Sequence, residues 1–215
     1  MEFLQTFFNL LLHLDTVALS AMSLYGNYLF LFIALIIFLE TGLVLTPFLP
    51  GDSLLFTAGA LSHQGSIPVI WLIILYWIAA VVGDTVNYWI GRGMGKMLLK
   101  RKMIKPHYYQ KAHLFYEKHG SKAIILARFI PIIRTFIPFV AGLSSMSART
   151  FTTFNMLGGI IWVFLFVSGG YFFGNLPFVQ NHLSLIMLIV IFISFLPLIF
   201  HRIFFGSHKL PRNQN

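Results

Sequence analysis

The sequence predicts an all-α, polytopic membrane protein, with two inverted re-entrant helical hairpins, full transmembrane spans and amphipathic interfacial helices. Three observations predict it. First, 58% of the 215 residues are apolar and only 10% are charged, with a mean hydropathy of +0.82. A soluble domain of that composition could not cover its own surface. Second, apolar runs long enough for a helix to cross the hydrocarbon recur along the chain, without the period-2 alternation of a closed barrel. Third, two of these runs are interrupted by Pro and Gly and carry charge: residues 40–62, ETGLVLTPFLPGDSLLFTAGALS, and residues 123–145, AIILARFIPIIRTFIPFVAGLSS.

Taken in order, residues 2–22 place polar side chains at 2, 5, 9, 13, 16 and 20, one stripe of an amphipathic helix lying at the interface, with His13 and Asp15 near its wet face. Residues 26–91 form a first repeat. Within it an apolar helix carries Glu40, breaks at Pro47, Pro50 and Gly51, resumes to Leu61, turns through residues 62–66, and crosses the membrane over 68–90. Asp84 and Asn87 interrupt that span. Residues 92–119 are a basic, amphipathic cytoplasmic segment. Residues 120–174 are a second, inverted repeat, broken at Pro131 and Pro138 and ending in the uncharged span 150–174. A final transmembrane helix over 183–203 and a cytoplasmic tail, 204–215, complete a single membrane domain.

Charge sets the orientation. No Lys or Arg occurs in the first 91 residues, so no removable signal peptide is expected. Nine of the fifteen basic residues then fall between Arg92 and Lys122, which places that segment, and the tail with Arg202, Lys209 and Arg212, in the cytoplasm. With two spans between them, the broken stretch 123–143 must start and finish on the cytoplasmic side, whereas the first one opens outward. An internal echo agrees. Ala58-Gly59 and Ala141-Gly142 close the two broken stretches, and Tyr88 and Tyr171 follow 29 residues after Gly59 and Gly142 respectively. Oppositely inserted repeats with discontinuous helices are the architecture of many transporters.

Glu40 lies twelve residues into an apolar run, too deep for its short side chain to reach water. Buried carboxylates of this kind cost about 2.5–3.5 kcal/mol each on insertion scales, so they need a partner. Asp52 could also serve as the N-cap of the arm that follows it. Arg128 and Arg134 are the expected partners, and a guanidinium grips phosphate oxygens while remaining charged when desolvated. An anion entering such a site must displace carboxylates or arrive with protons. Glu40, Asp52 and Asp84 are therefore candidate proton-exchanging groups and Arg128 and Arg134 candidate phosphate ligands; for Asp84 an ion pair near Arg92 at the interface is an equal alternative.

Other chemistries find little support. There is no Cys, and His-Glu-x-x-His and Walker motifs are missing. His107, His113 and His119 are six residues apart and do not share a helix face, so no metal and no cofactor is expected. Gly51-Asp52-Ser53-Leu54 spells a hydrolase motif, but no distant Asp-x-x-His accompanies it, so the chain does not read as an enzyme. The basic segment mixes Lys with Tyr, Phe, Leu and Met, which beside membrane spans points to an anionic lipid surface rather than nucleic acid.

From residue 39 to 174 the chain resembles the DedA family of bacterial inner-membrane proteins. The resemblance is carried by Glu40-Thr41-Gly42, Phe48-Leu49-Pro50-Gly51-Asp52-Ser53-Leu54, Gly83-Asp84 with Tyr88 and Gly91-Arg92, and Phe115-Tyr116-Glu117-Lys118-His119-Gly120. It continues through Arg128-Phe129-Ile130-Pro131-Ile132-Ile133-Arg134, Ala141-Gly142, Asn155, Gly158 and Trp162. It implies an inner-membrane location, a role in envelope homeostasis, dependence on the proton motive force, and Glu40, Asp52, Arg128 and Arg134 as family-critical residues. The expected function is translocation of an anionic lipid phosphate, undecaprenyl phosphate, with a homodimer and a monomer both left open as the assembly. The alternatives are a proton-coupled carrier of small solutes or ions, and a lipid scramblase without proton coupling.

Overall fold

Where no water can satisfy a backbone, an apolar chain must bond within its own segments, and helices do so. The computed structural model describes residues 24–43, 51–62, 67–101, 106–174 and 176. Among them the elements are α1 (Tyr28–Gly42), α2 (Gly51–Leu61), α3 (Val69–Lys100), α4 (Pro106–His119), a 3-10 turn (Gly120–Lys122), α5 (Ala123–Ala127), α6 (Pro131–Leu143) and α7 (Ala148–Phe173). The expected interfacial helix over 2–22, the breakers Pro47 and Pro50, the helix over 183–203 and the tail lie outside the described residues.

Length separates two kinds of helix. At 1.5 Å per residue α3 and α7 run about 48 and 39 Å, more than the roughly 30 Å of hydrocarbon, and both are apolar enough to cross it. By the same arithmetic α1, α2 and α6 reach only about 22, 16 and 20 Å. The surface is apolar and the interior partly polar: Trp71, Trp89, Phe164, Leu165 and Phe172 are exposed, while Glu40, Asp52, Asp84, Arg128 and Arg134 are buried. Water would penalise such an arrangement, and lipid does not.

The short helices pack reciprocally. α2 lies mainly on α7, and α6 mainly on α3, so each rests on the long helix of the other half. Glycines make the crossings possible. A Cβ on Gly59 would overlap the Val167 carbonyl and one on Gly170 the Phe56 carbonyl; in the other half Gly142 lies on the Tyr88 carbonyl and Gly91 on the Phe139 carbonyl. Backbone-to-backbone approach of this kind is how helices associate in lipid, where hydrophobic association is unavailable. Two apolar clusters result. One joins Phe30, Ile37, Leu55, Tyr76 and Val163, and the other joins Tyr88, Ala123, Ile137, Val140 and Phe151.

Two boundaries differ from expectation. The span 68–90 does not stop at the basic segment; α3 continues to Lys100, because Gly91 and Gly95 still pack on Phe139 and Leu143. Pro138 does not break the second stretch but sits inside α6, where its missing N–H simply leaves the Arg134 carbonyl without its i+4 donor. Pro131 opens α6 at its first turn, and the interruption falls at residues 128–130, with Ile130 extended at φ −125° and ψ 100°. Gly51 likewise begins α2.

Candidate functional site

The two interruptions meet. Glu40 is in the last turn of α1, Asp52 in the first turn of α2, and Arg134 in the first turn of α6. Arg134 Nη1 donates to Asp52 Oδ1 at 2.6 Å, and its Nη2 donates to Glu40 Oε1. The start of α2 suits both carboxylates, since free amides and the helix dipole make it positive. Gly51 is required there: a Cβ would overlap the Glu40 carboxylate and come within 3.0 Å of Arg134 Nη2.

A second ion pair stands beside the first. Arg128, at the end of α5, donates through Nη2 to Asp84 Oδ2 on α3 and to Asn155 Oδ1 on α7, the latter at 2.6 Å. Asn155 Nδ2 in turn donates to the Val81 carbonyl at 3.1 Å. Trp162 on α7 spans both pairs. Its Nε1 donates to Asp52 Oδ1 at 2.8 Å, and the guanidinium carbons of Arg134 and Arg128 lie 4.9 and 5.8 Å from its ring centroid. Asn87 ties the backbone together, donating to the carbonyls of Thr41 and Thr135 at 3.0 and 2.8 Å.

Three carboxylates therefore face two guanidiniums, all less than a tenth exposed. Paired charges of this kind sustain one another in low dielectric, and removing one partner is far costlier than the pair's net worth. Glu40 Oε2, Arg128 Nε and Arg134 Nε have no hydrogen-bond partner among the described residues. A cavity on the scale of a single water molecule is lined by Thr41, Asp84, Arg128, Arg134, Thr135 and Trp162, among others.

The site agrees with the sequence reading in part. Glu40 and Asp52 do meet Arg134, but Arg128 is not on them; it is on Asp84. Nor does Asp84 pair with Arg92, which donates instead to Tyr88 Oη at 2.6 Å and the Met146 carbonyl at 2.9 Å. Trp162, Asn155 and Asn87 had no role assigned from sequence. A signal was present: Asp84, Asn87, Tyr88 and Gly91, like Asn155, Gly158, Gly159 and Trp162, fall at i, i+3, i+4 and i+7, one helix face of small and polar groups within an apolar span.

Comparison with known proteins gives a consistent answer. The VTT domain model matches residues 49–172, a stretch that holds Asp52, Asp84, Arg128, Arg134 and Trp162. The chain is 48% identical to protein DedA of Escherichia coli K12 over 202 residues, 92% of each chain. It is 37% identical to the inner membrane protein YqjA of the same organism over 181 residues, 82% of this chain and 81% of the other. An uncharacterised membrane protein of Mycobacterium leprae is 48% identical over 165 residues, 75% of this chain and 74% of its own. No solved structure matches the chain. A family model covering more than half of the sequence, and relatives this similar over about three quarters or more of their length, lead to one conclusion: the chain belongs to the VTT-domain, or DedA, family of membrane proteins.

Proposed function

We propose that this chain is a proton-linked carrier of an anionic lipid phosphate, with undecaprenyl phosphate as its substrate, in the bacterial inner membrane. One observation supports this above the rest: a buried centre of two guanidiniums and three carboxylates where two interrupted helical segments meet. The arginines offer the headgroup a counter-charge, and the carboxylates they release take up protons, so the centre stays near neutrality throughout. The prenyl tail remains in lipid, and only the phosphate needs the polar route. On this reading α1–α2 and α5–α6 are re-entrant hairpins inserted from opposite faces. Their short lengths and their reciprocal seats on α7 and α3 are what favour it. The C-terminus lies in the cytoplasm, and the basic face of α4, with Lys111 and Lys118 exposed, rests on anionic lipid. The test is transport. Purified protein reconstituted in liposomes should move undecaprenyl phosphate between leaflets, faster with a proton gradient than without; no movement above empty liposomes would remove the function.

A further inference from the structure

We infer that the two arginines divide the work: Arg128 with Asp84 is the pair that opens to take a phosphate, whereas Arg134 with Glu40 and Asp52 is a latch between the two interrupted segments. The inference rests on the reading above that the centre receives a lipid phosphate.

The partners differ in a way that decides which arginine can let go. Arg134 is held by two carboxylates and lies over Trp162, which is itself bonded to Asp52. Withdrawing it would strand two buried carboxylates. Arg128 is held by one carboxylate and a neutral amide on a single Nη, so exchange of that carboxylate for a phosphate oxygen leaves Asn155 in place. The approach differs too. The water-sized cavity touches Asp84, Arg128 and Arg134 but neither Glu40 nor Asp52. An anion arriving there meets a neutral pair on one side; on the other it would meet a guanidinium already matched by two negative charges. Gly158 lets the arginine lie against α7, since a Cβ there would stand only 3.1 Å from Arg128 Cδ and Nε. Arg128 Nε has no partner among the described residues, so a phosphate can be gripped through Nη2 and Nε together, the bidentate geometry guanidinium favours.

The exchange balances. A phosphate monoanion replaces the Asp84 carboxylate on Arg128, and the freed carboxylate takes one proton from water. The pair Arg⁺–Asp⁻ becomes Arg⁺–phosphate⁻ beside a neutral acid, with no net charge added to the hydrocarbon. The charged groups facing Asp84 are Arg128 and Arg134 from the second segment, with Glu40 on α1 and Asp52 on α2 beyond Arg134; α7 contributes only the neutral Asn155 and Trp162.

The test is binding with proton counting, separate from transport. Full-length protein in detergent would be titrated with farnesyl monophosphate, and with farnesol as control, while bound ligand and proton uptake are measured together. The expected result is that wild type binds the phosphate but not the alcohol, and takes up one more proton per phosphate bound than Asp84→Asn does. Arg128→Lys should weaken binding about tenfold, the loss of one charge-assisted hydrogen bond. Arg134→Lys should instead lower the melting temperature of the unliganded protein more than Arg128→Lys does. No binding by wild type, equal proton uptake by Asp84→Asn, or unweakened binding by Arg128→Lys would each overturn the inference. Binding with proton uptake at Asp84, but no transport in liposomes, would overturn the carrier reading and leave this inference standing.

Discussion

The two interrupted segments share a packing plan and differ in charge. α1–α2 and α5–α6 each end in a short helix seated on the opposite long helix through glycine crossings, Gly59 and Gly170 in one case, Gly142 and Gly91 in the other. Yet α1–α2 carries Glu40 and Asp52 and no basic residue, while α5–α6 carries Arg128 and Arg134 and no acidic one. The packing is matched and the electrostatics are complementary. Each segment alone would leave its buried charges bare, a cost of several kcal/mol per ion. Assembled, they neutralise one another, so the charges and the packing depend on the same interface.

The sharpest way to break that complementarity is Arg134→Ala. It leaves Glu40 and Asp52 buried without their cation, and loss of one partner of a buried pair costs about 3–5 kcal/mol. The melting temperature in detergent should fall steeply, and restoring neutrality with Glu40→Gln and Asp52→Asn in the same chain should recover part of it. A triple variant no more stable than Arg134→Ala would show that the charges are not what couples the segments.

Next in size are the crossings. Gly59→Val and Gly142→Val each force a side chain onto the facing backbone, where overpacking costs about 1–3 kcal/mol. Because the two sites are equivalent in packing and not in charge, the two losses should be similar. Unequal losses would mean that one half of the fold is held by charge and the other by contact. Smaller again is Trp162→Phe, which keeps an aromatic face under the arginines but removes the Nε1–H donor to Asp52. About 1.5 kcal/mol should be lost, the lower end for a hydrogen bond to a charged group, read as a shift in the urea or thermal midpoint.

How far the site could be read from the sequence depends on which physical cue each residue left there. Glu40 and Arg134 were legible because a charge deep in an apolar run must find its opposite, and the chain offered few candidates. Arg128 was misplaced for a geometric reason. It lies six residues from Arg134, but extended Ile130 separates the end of α5 from the start of α6, and one non-helical residue resets the direction of every side chain beyond it. Asp84, for which an ion pair near Arg92 was one of two equal readings, pairs instead with Arg128, while Arg92 two turns further along α3 donates to Tyr88 and the Met146 carbonyl. Trp162 and Asn155 were hidden by neutrality: the span that holds them has no charge to draw the eye, and their role appears only when α5 and α2 bring Arg128 and Asp52 against them. Pro138 misled in the opposite direction, since a helix tolerates proline where neighbouring elements hold it in place.

The smallest expected effect marks the limit of the comparison. Glu117 on α4 is also an acid beside a base, with His113 Nε2 at 3.3 Å and i,i+4 spacing, but the two side chains are 61% and 38% exposed. Water and salt screen such a pair, and exposed pairs contribute about 0.2–1 kcal/mol at most, nearer 0.3–0.5 on a helix. Glu117→Gln should therefore shift stability by less than about 0.5 kcal/mol, and raised salt should erase even that. The residue type is the one found at Glu40, but there the partner is a buried, permanently charged guanidinium and here it is an exposed imidazole. A loss of about 2 kcal/mol at Glu117 would exceed what an exposed helix pair supplies. It would mean that the face of α4 is covered in the membrane-bound protein, by lipid headgroups or by a second copy of the chain, and that the boundary between structural and surface charge lies further out than the two meeting segments.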